Sequence, residues 1–544
     1  MSSSQGGIRA ARNPAPATRE AYAANVAKYR WWILAGLITA AIMEVLDTTI
    51  VNVALPTMAG NLGATSQEIG WVATGYILSN VVVLPMTAFL AARFGRRNYL
   101  TFSIFLFITA SFFCGTSHTL IELVFWRIMQ GAGGAALLST AQATLRQIFP
   151  LEEQGIVQSI FVMGIIVAPT LGPTLGGWIS DNYAWNWCFF INIPIGLASV
   201  FLVTTFLHDP PGMRKANTDV DWWGISLLAV GLGSLQYVLE EGQQNEWFQD
   251  KIILRLGLIS AVTLVAMLWW ELSPKNKSPV VDFRILKNRS LAAAIFLFVT
   301  LGFGLYGVTF LFPLFTQSIL GFTPTETGLA LMPGGLAVAV SAIICGRLLN
   351  GARPLVDPRV LIYIGIGIVL VAMAQLATMS PQSGEPDTRF ALMIRGFGLG
   401  MLFTPINQVA YASLKPGEAQ QAAGLINLAR QLGGSFGIAI LGAYVANHTA
   451  LHRVDLAANI FPSNPMAVQR LNGLTQVMMH HGFAQPVAQR MALAAMNGTL
   501  TSQATVIAYD DAFWLILATF VAVIPAAMML KKKKLDAPLP TEVH

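Results

Sequence analysis

The chain of 544 residues is 54% hydrophobic and 11% charged, with a mean hydropathy of +0.59. A soluble domain carries roughly 25% charged residues, so this chain lacks the charge to cover a soluble surface of its size, which argues against a soluble enzyme. The net charge of +6 does not indicate nucleic-acid binding: Lys and Arg stand in short clusters between apolar runs, with no basic face beside stacked aromatics.

Residues 1–28 read as a polar cytoplasmic tail rich in Ser, Ala and Arg. The apolar run from Trp31 to about Pro56 lacks a small-residue cleavage site and is a retained span, not a signal peptide. A bilayer core of ~30 Å asks for roughly 20 apolar residues per helix. Runs near 31–56, 68–90, 98–117, 120–145, 154–180 and 186–207 meet that length, followed by 222–241 and 251–271. A last group falls near 290–317, 327–348, 358–378, 389–411, 419–446 and 510–530, predicting an all-α polytopic protein of fourteen spans. The seventh is the weakest, because Glu240 and Glu241 close it.

Basic residues test the count through the positive-inside rule. With both termini cytoplasmic, inner segments collect Arg93, Arg96 and Arg97, then Arg214 and Lys215, then Lys275, Lys277 and Arg284. Arg353 and Lys415 join them, and so does the basic tail 531–544 with Lys531, Lys532, Lys533 and Lys534, an anchor for anionic lipid. Outer segments hold only Lys251, Arg389, Arg453, Arg470 and Arg490. A long outer loop, 448–509, separates the last two spans; within it 466–479 and 484–497 have roughly helical spacing.

The fourth span carries Arg127, Gln130, Gly131, Gly133 and Gly134, and the twelfth carries Arg395, Gly396, Gly398 and Gly400. The fifth holds Gly164, Gly172, Pro173, Gly176 and Gly177; the thirteenth holds Gly433, Gly434, Gly437 and Gly442. The offset is eight spans in both cases. It divides the chain into an N-terminal six-helix bundle (29–207), two extra helices with their loops (208–289) and a C-terminal six-helix bundle (290–530). Repeated halves are a common transporter plan.

With these residues in view, the chain resembles the major facilitator superfamily, and within it the fourteen-span drug:proton antiporters of the EmrB/QacA type. The first-span signature runs from Leu46 and Asp47 through Thr48, Thr49 and Asn52 to Pro56, and the arginine motif matches Arg127, Gln130, Gly131 and Gly133. The antiporter motif matches Gly164, Gly172, Pro173, Gly176 and Gly177. The long outer loop and the stretch with Asn192, Pro194 and Gly196 resemble exporters that work with an envelope-spanning adaptor. One departure stands out. The family's inner loop usually reads Gly-x-Leu-x-Asp-Arg-x-Gly-Arg-Arg; here Ala88 and Ala92 replace the Gly and Asp, while Arg93, Gly95, Arg96 and Arg97 remain. Another contact must close that gate, or it closes less firmly.

A carboxylate inside a span is costly when ionised and cheaper when protonated. Asp47 is therefore the expected proton carrier, Glu44 sits one turn away on the same face, and coupled titration is expected between them. Arg127 cannot shed its charge and needs a partner: Asp47 in the resemblance, or otherwise outward snorkelling toward Glu122. Thr48, Asn52, Trp71, Trp126, Gln130, Arg395 and Asn407 are candidate cavity residues, with an aromatic and Met-rich lining expected to tolerate many shapes. The inner-loop residues and the fifth-span glycines are gating candidates, the glycines expected to seal the interface between halves. Asp510 and Asp511 read as helix caps. Cys114, Cys188 and Cys345 lie apart and His480-His481 is read as solvated, so no metal site is expected.

The resulting expectation is an inner-membrane exporter of amphipathic or hydrophobic compounds, working by alternating access. It needs no cofactor, because the proton gradient drives it. Its expected partners are small-molecule substrates, protons, membrane lipids, a periplasmic adaptor (membrane fusion protein) and an outer-membrane channel, with no nucleic acid. The alternatives are a specific cargo on the same fold (a metabolite, fatty acid, siderophore or sugar) and a non-transporting scaffold.

Overall fold

The computed structural model describes residues 16–65, 68–150, 152–209, 220–276, 278–350, 355–412, 414, 418–458, 460–461 and 463–530. Arg9, Arg12, Arg214, Lys215, Lys277, Arg353, Lys415 and the basic tail 531–544 lie outside the described residues, as does the side chain of Pro173. Every regular element described is helical. The first group is α1 (Pro16–Leu62), α2 (Trp71–Val83), α3 (Thr87–Phe94), α4 (Arg96–Thr116), α5 (Leu120–Ile148), α6 (Gln154–Asn182), α7 (Trp187–Phe190) and α8 (Asn192–Phe206). The extra pair is α9 (Trp222–Glu241) and α10 (Lys251–Leu272). Then come α11 (Arg289–Ser318), α12 (Pro324–Leu349), α13 (Pro358–Leu376), α14 (Glu385–Ala412), α15 (Ala419–Ala457), α16 (Pro465–His480), α17 (Gln485–Ala522) and α18 (Ile524–Met528).

Among the described residues, eleven segments are long and apolar enough to cross a membrane. The expected count of fourteen is not reached on that criterion, and for two of the helices the reason is physical. The helices α5 and α15 occupy expected spans but bury Arg127, Gln130 and Gln142 or Asn427, Arg430 and Ser435 against other helices, which lowers their hydropathy. Helix α6 is itself 29 residues long, and Gln154–Pro169 is its apolar stretch among the described residues. Apolarity is demanded by lipid, not by a protein neighbour.

Local chemistry sets the helix ends. Thr119 caps α5 by accepting from the Glu122 amide, and Thr323 with Glu326 makes a capping box on α12. Asp221, Asp250 and Asn288 cap α9, α10 and α11. At the other end of α5, Gln154 Nε2 donates to the carbonyls of Leu145, Arg146 and Phe149 at 3.3, 3.1 and 2.7 Å, satisfying groups the helix leaves open.

Three boundaries differ from expectation. Helix α1 begins at Pro16, inside the expected tail 1–28, because residues 17–27 are Ala-rich with no helix breaker. The segment 448–509 has helices at both stretches of helical spacing, α16 and the start of α17, but the flanking spans reach further into it than expected: α15 runs on to Ala457, and α17 continues unbroken from Gln485 into the last span. With 39 and 38 residues, α15 and α17 are each roughly 57 Å long at 1.5 Å per residue, so they outrun a ~30 Å core. Asp510 and Asp511 consequently lie inside α17 and cap nothing; Asp511 Oδ2 meets His452 Nε2 of α15 at 2.8 Å.

In the first half α1 packs on α5, α6 and α8, with α4 and α2 against α5. In the second, α11 packs on α15, and α14 on α12 and α13. The halves meet where α6 crosses α12 and where α5 meets α15, while α9 touches α2 of one half and α15 of the other. One apolar core runs through both halves, including Leu37, Phe107, Phe161, Phe298, Phe312 and Phe513.

Candidate functional site: a buried ion pair behind a central cavity

Asp47 and Arg127, on α1 and α5, form an ion pair of 2.6 Å between Arg127 Nη1 and Asp47 Oδ2, with relative exposures of 0% and 1%. Both groups have further polar partners. Gln130 Nε2 and Asn192 Nδ2 donate to Asp47 Oδ1 at 3.0 and 2.7 Å. Arg127 Nη1 also reaches Gln130 Oε1 at 2.7 Å, and its Nε donates to the Val72 carbonyl at 3.0 Å. The guanidinium lies 4.3 Å from the Tyr76 ring centroid. Ser111 Oγ accepts from Asn192 at 3.1 Å and itself donates to the Phe189 carbonyl, extending the network to α4. Breaking such a pair from one side strands a charge in the interior.

This geometry decides between the two readings of Arg127. Glu122 is engaged at the start of α5, where its side chain accepts from the His118 amide at 3.1 Å, and Arg127 points inward to Asp47 instead of snorkelling. Asn192 was legible only as part of a family stretch; an Asn within an apolar run is the signal that marks it.

Glu44, one turn before Asp47, occupies a different setting. Its Oε1 accepts from Asn80 Nδ2 at 3.4 Å and its Oε2 from the Leu138 amide at 3.1 Å. It lines a central cavity of about 430 Å³ together with Thr48, Thr49 and Asn52 of α1, Tyr306 and Phe310 of α11, Arg395 of α14 and Arg430 of α15. Asp47 is not among the lining residues: it lies behind the wall that Glu44 forms part of. Arg395 Nη2 donates to the Leu305 carbonyl at 2.9 Å, and Arg430 Nη1 reaches Tyr306 Oη at 3.4 Å. The lining extends from mid-height toward the end away from the N-terminus, where Asn52, Pro313 and Glu240 stand.

Other expected cavity residues are placed elsewhere. Trp71 packs on Tyr237 of α9 at 5.6 Å between ring centroids, and Trp126 stacks on Phe113 at 4.3 Å; neither lines the cavity, because both lie on flanks of their helices turned from it. Gln130 belongs to the sealed Asp47 network. Asn407 accepts from Gln142 Nε2 at 2.6 Å, bridging α5 and α14 below the cavity. Among the described residues no methionine lines the cavity; its adaptable surface is aromatic and aliphatic.

Toward the end nearer the N-terminus the halves are closed. Asn427 Nδ2 donates to Gln142 Oε1 at 3.2 Å, and Gln420 Nε2 to Thr140 Oγ1 at 3.1 Å. At the α6–α12 crossing, a Cβ on Gly155 would lie 2.6 Å from the Gly346 carbonyl oxygen. The fifth-span glycines do not seal this interface. A Cβ on Gly172 would meet Thr49 Oγ1 at 1.9 Å, and one on Gly176 the Ile50 carbonyl at 2.7 Å; Gly164 likewise faces Ile42 of α1, whereas Gly177 has nothing nearer than 3.9 Å. Their four-residue spacing puts Gly164, Gly172 and Gly176 on the face of α6 that meets α1 of the same half.

At the inner-loop motif, Gly95 turns the chain between α3 and α4 at φ +87. Asp209, after α8, stands where a Gly95 side chain would be and accepts from the Arg97 amide at 3.1 Å. Arg96 donates to Gln147 and Arg97 to the Thr204 carbonyl. A carboxylate from the α8 exit thus reaches the motif that has Ala92 in place of Asp. Arg93 closes α3.

A family model described as Major Facilitator Superfamily matches residues 37–438. The chain is 33% identical over 487 residues to Multidrug export protein EmrB of Haemophilus influenzae, covering 89% of this chain and 92% of that one. It is 32% identical to the Fatty acid resistance protein FarB of Neisseria gonorrhoeae, covering 92% and 96%. Among solved structures, the proton:xylose symporter XylE aligns with a TM-score of 0.57 at 13% identity over 94% of this chain and 97% of that one, and the human organic anion transporter MFSD10 with 0.55 at 12% over 90% and 99%. At those identities the structural likeness concerns the fold.

Proposed function

The chain belongs to the major facilitator superfamily, and we propose that it is a proton-coupled exporter of drugs and other amphipathic or hydrophobic compounds. The observation that carries the coupling is the sealed Asp47–Arg127 pair standing one helical turn from Glu44 on the cavity wall. Arg127 keeps its charge at every accessible pH, so protonating Asp47 removes its partner's compensation and favours a rearranged site. Glu44 meets the cavity contents directly and passes protons between them and the interior pair. The cavity, closed toward the N-terminal end by Gln142 and the α6–α12 crossing, represents the state that faces the opposite side. Export of drugs is what the name of the Haemophilus relative describes, and the cavity wall of Leu305, Tyr306, Phe310, Leu314 and Leu331 suits apolar cargo of varied shape.

The same reading puts the protein in a bacterial inner membrane with both termini in the cytoplasm, which the distribution of basic residues supports. It also gives the projecting helices α15, α16 and α17 a partner. They carry exposed apolar residues such as Met466, Val477 and Val487, suited to a periplasmic adaptor that continues to an outer-membrane channel.

The test uses inside-out vesicles with an acid interior and a fluorescent reporter of the gradient. Addition of a substrate should dissipate the gradient with wild-type protein and not with Asp47→Asn. Intact protein that moves no protons with any of a panel of cationic, neutral and acidic amphiphiles would overturn the reading.

A further inference from the structure

The extra helices α9 and α10 have no counterpart in either half, yet α9 brings one carboxylate, Glu240, into the wall of the cavity. We propose that Glu240 recognises the cationic group of an amphiphilic substrate, making α9 a specificity element; the proposal rests on the exporter reading.

Four observations converge on this residue. First, its place is built. Tyr237 packs against Trp71 at 5.6 Å on the α2 side, while Gln236 Nε2 donates to Ser435 Oγ of α15 at 2.9 Å. The same Nε2 donates to Glu240 Oε1 at 2.8 Å, so the carboxylate is held at the seam between the halves. Second, among the described residues no Lys, Arg or His forms an ion pair with it. Third, it lies in the last turn of α9, which contains no basic residue. That end of a helix carries partial negative charge and disfavours an anion, so capping does not account for it. Fourth, Tyr306 and Phe310 line the same cavity, and aromatic faces attract cations.

The other charges around the cavity give the recognition a direction. On α9 itself Glu241 follows; α2 presents Tyr76, α1 presents Glu44, α14 presents Arg395 and α15 presents Arg430. The two guanidiniums are held by neutral acceptors, Leu305 O and Tyr306 Oη, and cannot be neutralised. With Glu44 and Glu240 ionised, their charges offset the guanidiniums and a cation is admitted at the carboxylate side. With both protonated, the two fixed positive charges remain and repel it. A cation and a proton therefore compete for the same oxygens, and protons arriving from the acid side drive the cation off. An anionic head would be retained under the same conditions, which is the wrong sign for proton-driven release.

Purified full-length protein in nanodiscs tests this by calorimetric binding of tetraphenylphosphonium and of the neutral triphenylphosphine oxide, with vesicle transport of both in parallel. Glu240→Gln keeps a side chain able to meet Gln236 and should weaken tetraphenylphosphonium binding about tenfold, or roughly 1.4 kcal/mol, leaving triphenylphosphine oxide unchanged. Glu240→Asp should retain much of the cation affinity, and acidification should displace the cation from wild type more than from Glu240→Gln. Wild-type affinity for the cation in Glu240→Gln, or equal loss of both ligands in Glu240→Gln and Glu240→Asp, would overturn the assignment while the exporter reading stood. Wild-type protein that neither bound nor moved either compound would overturn both.

Discussion

Arg127 Nη1 lies 2.6 Å from Asp47 Oδ2, and neither side chain reaches solvent. The pair joins α1 to α5 inside one half, so that half senses charge at a point the cavity does not touch. Around it, Gln130 and Asn192 supply donors that keep the carboxylate satisfied while ionised.

Removing one member strands the other. Asp47→Asn or Arg127→Gln alone should lower stability by about 3–5 kcal/mol, read as a fall in thermal midpoint in detergent. The double substitution should recover part of that loss, since no unpaired charge stays buried. All three variants should lack substrate-dependent proton flux, which separates the structural role of the pair from its part in coupling. Full stability in each single variant would show that the charge is compensated elsewhere.

Glu44→Gln asks a different question, because Glu44 faces the cavity and is bonded to neutral donors, Asn80 and the Leu138 amide. Neither hydrogen-bond partner is charged, so the thermal midpoint should stay within the equivalent of about 1 kcal/mol. Proton release on substrate binding, measured with a pH dye in weakly buffered solution, should nevertheless fall severalfold. Release equal to wild type would remove Glu44 from the exchange and leave it to Asp47 and Glu240.

Residue chemistry made the centre of this site legible before any geometry. A mid-span Asp, a mid-span Arg that cannot neutralise and a polar Gln one turn on all require partners, and Asp47, Arg127 and Gln130 find them in each other. The helices α5 and α15 were legible as helices for the same patterning reasons, though burial of Arg127 and Arg430 against protein blurred their membrane signature. Which face a residue takes was less accessible. Trp71 and Trp126 adjoin the cavity helices in sequence yet turn aside to Tyr237 and Phe113, because a rotation of 100° per residue separates neighbours. The direction of the α6 glycines depended on which helix lies opposite, a tertiary fact. Asp209 and Glu240 stood at span ends, where a carboxylate ordinarily meets solvent, and only packing brings them to Gly95 and to the cavity.

The α1–α6 contact gives a paired prediction. Gly172→Ala would set a methyl group 1.9 Å from Thr49 Oγ1, forcing the helices apart and costing about 1–3 kcal/mol from overpacking. Thr49→Gly in the same chain should restore much of the stability, since the obstructing atoms are gone. Gly177→Ala, with its nearest neighbour at 3.9 Å, should be tolerated in expression yield and thermal midpoint. Equal sensitivity at 172 and 177 would mean that the family motif, not the contact, dictates both glycines.

The closed end turns on Gln142, which donates to Asn407 on α14 and accepts from Asn427 on α15, joining the first half to two helices of the second. Each such buried bond contributes about 1 kcal/mol net. Gln142→Ala removes both, and the opposite-facing state has no reason to lose the same contacts if the halves part there. Together the two bonds amount to about 2 kcal/mol, so the balance between the two states should shift by roughly thirtyfold toward opening at this end, since 1.4 kcal/mol is a factor of ten. Distances between spin labels placed at the N-terminal-side ends of α5 and α14 would report it as a growing long-distance population. An unchanged distribution would show that the Gly155–Gly346 crossing of α6 and α12 holds the closure by itself.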